Sequence, residues 1–363
     1  MVTKIKRHRI DPDLTVTLDV IRAVAAIYVI FHHFAQARGW TSGVAYFFKF
    51  GSEAVIVFFL LSGFVIYANE FDRCSNLFEY YFRRIRRIYP TLIGALVLST
   101  CVAIDNENFT RLFSWSSLFG NLANLQDISY LKPGVLIDPF LKNEPLWSLS
   151  YEFFFYAIFP AVLYLGSRRP ILTNHVIGFF CCCSYMWYSY SPGHFSLVMS
   201  YFLIWWTGAM AAKSYLDGFC SFSKIGSAVG WLFALFCISL IIVAKHGFQG
   251  FHQYPFLQAR HFGCALFLLA VGISPFGETL SRKIKVWRIS LSYVASISYG
   301  LYLFHYPILI QSSRSENVLG LLFMLLLLVL LSHMIDREMN KKLPRRIMRV
   351  NDTRSSHNSL SIS

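Results

Sequence analysis

Ten apolar runs, each long enough or nearly long enough to cross a bilayer, leave this chain little choice of fold. They fall at residues 18–36, 53–67, 88–103, 146–165, 171–188, 195–212, 225–244, 259–273, 289–310 and 318–335. Backbone N–H and C=O groups in hydrocarbon must be satisfied within their own segment, so runs of this length become helices packed side by side. The expected fold is all-α, a polytopic membrane bundle of about ten transmembrane helices. Composition agrees: of 363 residues 55% are hydrophobic and only 14% charged, which excludes an ordinary soluble domain.

Charge placement orients the bundle. If the connections alternate across the membrane, 24 of the 33 Lys and Arg residues fall on the side of the N-terminus, eight fall on the other side, and Arg22 lies inside the first run. Basic residues concentrate on the cytoplasmic side, so both termini are expected there. The net charge of +14 therefore reflects membrane orientation, and no nucleic-acid partner is expected. The domain reading follows: a basic cytoplasmic N-terminus at 1–17, a membrane domain at 18–336 with an outer loop at 105–145, and a basic, Ser-rich tail at 337–363 expected to be disordered. The outer loop holds an aromatic piece too polar to span, expected at the interface or folded back over the bundle. Eight cysteines without metal-ligand spacing read as small packing residues, and no metal is expected. The N-terminus resembles a cleaved signal peptide, but Arg22 and His32–His33 interrupt its apolar stretch and argue against cleavage.

The first run is the most unusual. Arg22 and His33 are eleven residues apart, three helical turns plus ~20°, so both project from one face about 16 Å apart along the axis. An ionisable group inside a membrane is by default a functional-site hypothesis. The other polar residues sort into two clusters by depth. Near the inner face Arg22 joins the run YFRRIRRIYP, where Arg83, Arg84, Arg86 and Arg87 are candidates to hold phosphates in bidentate fashion. In the outer halves lie His33, Glu53, Glu152 and His305, which the topology brings to one depth. An inner anion site below an outer His/Glu site fits a ligand reaching through the bundle, its phosphates inside and its reactive end outside. A neutral histidine with an acidic neighbour can accept the proton of an attacking hydroxyl, which suits acyl transfer. The same residues would also serve a proton-coupled carrier, or a transporter or flippase of lipid-linked sugars.

Five segments carry a resemblance to acyltransferase family 3, the integral-membrane O-acyltransferases of bacterial surface polysaccharides. They are LDVIRAVAAIYVIFHH with Arg22 and His33, VFFLLSGFVI with Ser62 and Gly63, RRIRRIYP with Arg84, Arg87 and Pro90, LWSLSYEFFFYAIFP with Trp147, Ser148, Glu152 and Tyr156, and SYGLYLFHYP with Tyr299, Tyr302, His305 and Pro307. The chain departs from the family where an acid commonly stands two residues before the FF pair: that place is Ile56, and the nearest acid is Glu53. The resemblance implies an enzyme of the bacterial inner membrane that moves an acyl group, usually acetyl from cytoplasmic acetyl-CoA, to a hydroxyl of a lipid-linked or surface glycan. His33 would be the base or an acyl relay. Arg22, Arg84 and Arg87 would hold the CoA phosphates, while Glu152, Glu53 and His305 would orient His33 or the acceptor. Trp147, Ser148 and Tyr151 are candidates for binding substrate near the reacting carbonyl. The chain is expected to be the stand-alone form, without the esterase-like domain that some members carry, and its outer loop is expected to set specificity.

Overall fold

The computed structural model describes residues 10–40, 42–218 and 222–342. The basic stretch 1–9 and the Ser-rich part of the tail, 343–363, lie outside the described residues. Helix α1 (Pro12–Ala37) starts six residues before the apolar run, because Pro12 occupies the first turn and the Asp11 carboxylate accepts the Asp13 N–H. α2 (Gly51–Glu70) and α3 (Leu77–Asp105) follow, the latter capped by Asn76. Two short helices, α4 (Phe109–Leu112) and α5 (Trp115–Leu122), begin the long connection. The bundle resumes with α6 (Trp147–Arg168), α7 (Pro170–Tyr190), α8 (His194–Leu216), α9 (Phe222–His246) and α10 (Phe256–Ile273). After α11 (Pro275–Ile284) come α12 (Arg288–Ser296), α13 (Ser298–His305) and α14 (Val318–Ser332). Among the described residues, eight helices are long and apolar enough to cross a membrane. The other two expected runs are helical as well, but α7 carries Asn174 and His175 within it and the ninth run is broken.

The break separates α12 from α13 at Ile297. It leaves the first N–H groups of α13 without partners in their own helix, and Asp336 supplies one from the end of the tenth run: its Oδ2 accepts from Tyr299 N at 3.1 Å and Gly300 N at 2.9 Å. Past His305 the helix widens to π winding over Tyr306–Gln311, with Pro307, which has no N–H to donate, inside the wide turn.

α8 is the buried axis of the bundle, and its closest neighbour is α2. A Cβ on Gly63 would sit 1.9 Å from the Trp205 carbonyl oxygen, and one on Gly208 would sit 2.2 Å from that of Leu60. Two glycines thus let two backbones touch, the device membrane helices use where lipid gives no hydrophobic drive to associate.

The long connection divides. Trp115 and Phe119 of α5 are exposed, as an interfacial helix requires. Residues 121–143 instead fold back into the bundle as a plug, with Asn121, Gln126 and Asp127 fully buried. Lys132 and Asp127 form an ion pair of 2.5 Å, with side chains 1% and 0% exposed. The Tyr151 hydroxyl donates to the second Asp127 oxygen at 2.6 Å, and the Lys132 ammonium lies 3.9 Å over the Trp147 ring. Burial holds the Lys132 amine below its usual range, against the pull of Asp127.

Candidate active site

Of the four arginines at the start of α3, Arg87 stands four residues after Arg83 and three after Arg84, so these three share a face. Glu70, the last residue of α2, takes the Arg83 fork at 3.1 and 2.6 Å and the Arg84 guanidinium at 2.8 Å. Arg87 reaches Asp336 at 3.3 Å and lies 4.8 Å from the centre of the Tyr299 ring. Arg22 pairs along its own helix with Asp19 at 3.0 Å. These acids stand behind the arginines and leave the front of the cluster open. Arg22, Arg84 and Arg87, with Arg83 and Arg86, line one cavity of about 580 Å³ whose wall carries, among the described residues, a single carboxylate, Glu152.

The cavity runs away from the arginines between α2, α6 and the broken ninth helix. Glu152 accepts from the Ser62 hydroxyl at 3.0 Å and forms a short hydrogen bond with Tyr156, while the Trp205 indole donates to Ser62 at 3.1 Å. At the far end the Ser148 and Tyr302 hydroxyls are 3.0 Å apart, and both line the cavity. The Tyr302 ring lies 6.3 Å from that of His305, and His305 lies 5.4 Å from His33. His305 is fully buried, and its Nδ1 faces the Leu301 carbonyl at 3.1 Å. A carbonyl can only accept, so Nδ1 carries a proton, and Nε2 has no hydrogen-bond partner among the described residues. His33 also meets the Tyr306 ring edge-on at 5.1 Å and lies within reach of the Gln36 amide. The Tyr306 hydroxyl in turn lies within reach of Glu144, which accepts from Tyr130 at 2.7 Å.

The structure therefore joins some expected residues and separates others. Arg22, Arg84 and Arg87 share one cavity, and His33 and His305 are ring neighbours. Glu152, expected at the depth of His33, lies in the arginine-lined cavity, whose wall does not include His33. Glu53, in the first turn of α2, is held by Arg260 of α10 in a short ion pair, while Arg260 stacks over Phe251 at 3.5 Å. Of the three residues expected to bind substrate, Ser148 lines the cavity, whereas Trp147 and Tyr151 are engaged by the Asp127–Lys132 plug. Sequence reasoning missed Glu70, Asp336 and Glu144. The first two had a usable signal, an acid at the end of an apolar run, whereas Glu144 stood in a loop with nothing to single it out.

The family model described as "Acyltransferase domain" matches residues 16–337. The peptidoglycan O-acetyltransferase OatA of Listeria monocytogenes is 25% identical over 327 residues, covering 81% of this chain and 49% of that protein. The acyltransferase MdmB of Streptomyces mycarofaciens is 32% identical over 162 residues, covering 43% of this chain and 41% of that protein. The chain thus spans about half the length or less of these relatives. No solved structure matches it.

Proposed function

The chain belongs to the acyltransferase domain family, and from that membership we propose that it is an integral-membrane O-acyltransferase carrying acetyl from acetyl-CoA to a glycan hydroxyl on the opposite face. The observation that carries this reading is a succession of neighbours: five arginines line a cavity that Ser148 and Tyr302 also line, and the Tyr302 ring adjoins His305, which adjoins His33. Guanidinium groups on one open wall suit the phosphates of CoA. The reach past Glu152 toward Ser148 and Tyr302 suits its uncharged thioester arm, which would present the carbonyl near His33. The acceptor proposed is a peptidoglycan strand or its lipid-linked precursor, the class that the name of OatA points to, and the location proposed is the bacterial plasma membrane.

In the step proposed, a glycan hydroxyl attacks the thioester carbonyl while His33 takes its proton. The C–O bond forms, the C–S bond breaks, and the proton passes from His33 to the departing sulfur, leaving CoA thiol and an ester. His305 and Tyr306 pack against the His33 ring, and the Tyr306 hydroxyl lies within reach of Glu144.

The test is transfer in membranes supplied with radiolabelled acetyl-CoA and the host's lipid-linked glycan. Replacing His33 with Ala lowers turnover by about 10²–10⁴-fold, the usual share of a general base. Replacing Arg22 with Ala raises the KM for acetyl-CoA about tenfold, the loss of ~1.4 kcal/mol of binding. Label that remains on acid-quenched protein before glycan is added would make His33 an acyl carrier instead. Transfer at the wild-type rate by His33→Ala would overturn the reading, and glycan that crosses the membrane unmodified would favour a flippase.

A further inference from the structure

A second polar cavity, of about 710 Å³, opens where α1 and α3 end and the π-wound part of the ninth helix turns back, and its size is that of a small-molecule site. Ala37 and Leu309 line it, and each stands four residues beyond a histidine of the candidate site, His33 and His305 respectively. Four residues along a helix is about one turn on nearly the same face, so this cavity sits one turn past the His33–His305 pair, on the side away from the arginines. The polar lining is dense: Arg38, Asp105, Asn106, Glu107, Gln311 and Glu316. Its frame is latched, because Arg314 grips Asp105 in a fork of 2.9 and 2.6 Å and Arg38 donates to the Ser315 carbonyl at 2.6 Å.

We propose that this cavity holds the acceptor, as a neutral sugar whose free hydroxyl points down at His33, a reading that rests on the acyl-transfer function above. Sugar hydroxyls donate and accept at once, and carboxylates, amides and a guanidinium around one space meet both demands. The exposed Glu316 carboxylate supplies a specific partner, because it lines the cavity and can accept from a hydroxyl. The Asn106 amide belongs to the frame, its nitrogen donating to the Gln311 carbonyl at 2.7 Å. An aromatic rim stands beside this frame: Phe34 lines the cavity, and the exposed Trp40 packs edge-on to it at 5.8 Å. Three carboxylates, Asp105, Glu107 and Glu316, outnumber the two guanidinium groups of Arg38 and Arg314 around the cavity, which disfavours a phosphate and selects an uncharged ring. The two cavities thus divide the substrates by charge.

The test reads binding and transfer separately on the full chain in nanodiscs. Saturation-transfer NMR with chitobiose, cellobiose and maltose needs neither donor nor turnover. Wild type gives a signal with at least one of these disaccharides and none with glucose 6-phosphate. Glu316→Leu loses that signal, while Glu316→Gln, which keeps an accepting oxygen at an exposed position, retains it. In transfer assays with the disaccharide that binds, Glu316→Leu raises the acceptor KM tenfold or more and leaves the acetyl-CoA KM unchanged, and Glu316→Gln raises the acceptor KM about threefold. Binding to none of the disaccharides, tighter binding of the phosphate sugar, or unchanged binding by Glu316→Leu would overturn the proposal. Sugar binding that depends on Glu316 in a protein moving no acetyl would instead uphold the cavity and sink the acyl-transfer reading.

Discussion

Two regions of this molecule bury cations beside carboxylates, and they do so to different ends. Lys132 and Asp127 pair with each other among aromatic neighbours, Asp127 also accepting from the Ile128 N–H, and both are sealed at 1% and 0% exposure. The arginines of α1 and α3 are also paired, with Asp19, Glu70 and Asp336, yet each keeps a face on an open cavity, Arg22 at 25% and Arg87 at 43% exposure. Buried charge is therefore not in itself a sign of binding. A closed pair holds a loop in place, whereas a pair backed by acid on one side and open on the other is held ready for an anion.

The sharpest way to break this contrast is to remove one partner of the closed pair. Lys132→Met leaves the Asp127 carboxylate buried without its cation and should cost about 3–5 kcal/mol of stability. Thermal unfolding in detergent should show a large drop or loss of the folded protein, and pairing the change with Asp127→Asn should recover part of it. A melting point within a degree of wild type would mean that the plug does not hold the bundle together, and the contrast would fail.

A smaller effect is expected at the open cluster. Arg84→Gln leaves Glu70 in the fork of Arg83, so the buried carboxylate keeps a cation and the fold should lose less than it does with Lys132→Met. The KM for acetyl-CoA should rise about tenfold, or ~1.4 kcal/mol, with turnover at saturating donor little changed. Stability loss as large as that of Lys132→Met, with donor KM unmoved, would reclassify this arginine as a structural cation.

How far this division could be read in advance depends on what each residue needed to reveal itself. The bundle was legible because hydrocarbon forces helices, and Arg22 and His33 stood out because their run was otherwise apolar. The arginine cavity was legible as a basic block on α3, but not the depth of Glu152 within it, since a shared side of the membrane does not fix the height of a side chain. The break in the ninth helix had no sequence mark at Ile297, because its free N–H groups are satisfied by Asp336, which only the folded chain brings near. The plug was least legible of all. A polar loop normally belongs at the surface, and nothing in the spacing of Asp127 and Lys132 says that both are sealed inside.

The finest test uses salt and no mutation at the open cluster. Screening acts on charges that solvent ions can approach: the Debye length falls from ~30 Å at 0.01 M to ~8 Å at 0.15 M, while sealed pairs are screened much less. Arginines facing an open cavity should therefore bind acetyl-CoA more weakly as salt rises, with the donor KM increasing a few-fold over that range. The acceptor KM should stay flat if the sugar is neutral, which makes it an internal control within one assay. The stability difference between wild type and Lys132→Met should also stay flat, because water and salt do not reach that pair. If the donor KM ignored salt, the arginines would be as closed off in practice as Lys132, and the cavity they line would need a different ligand.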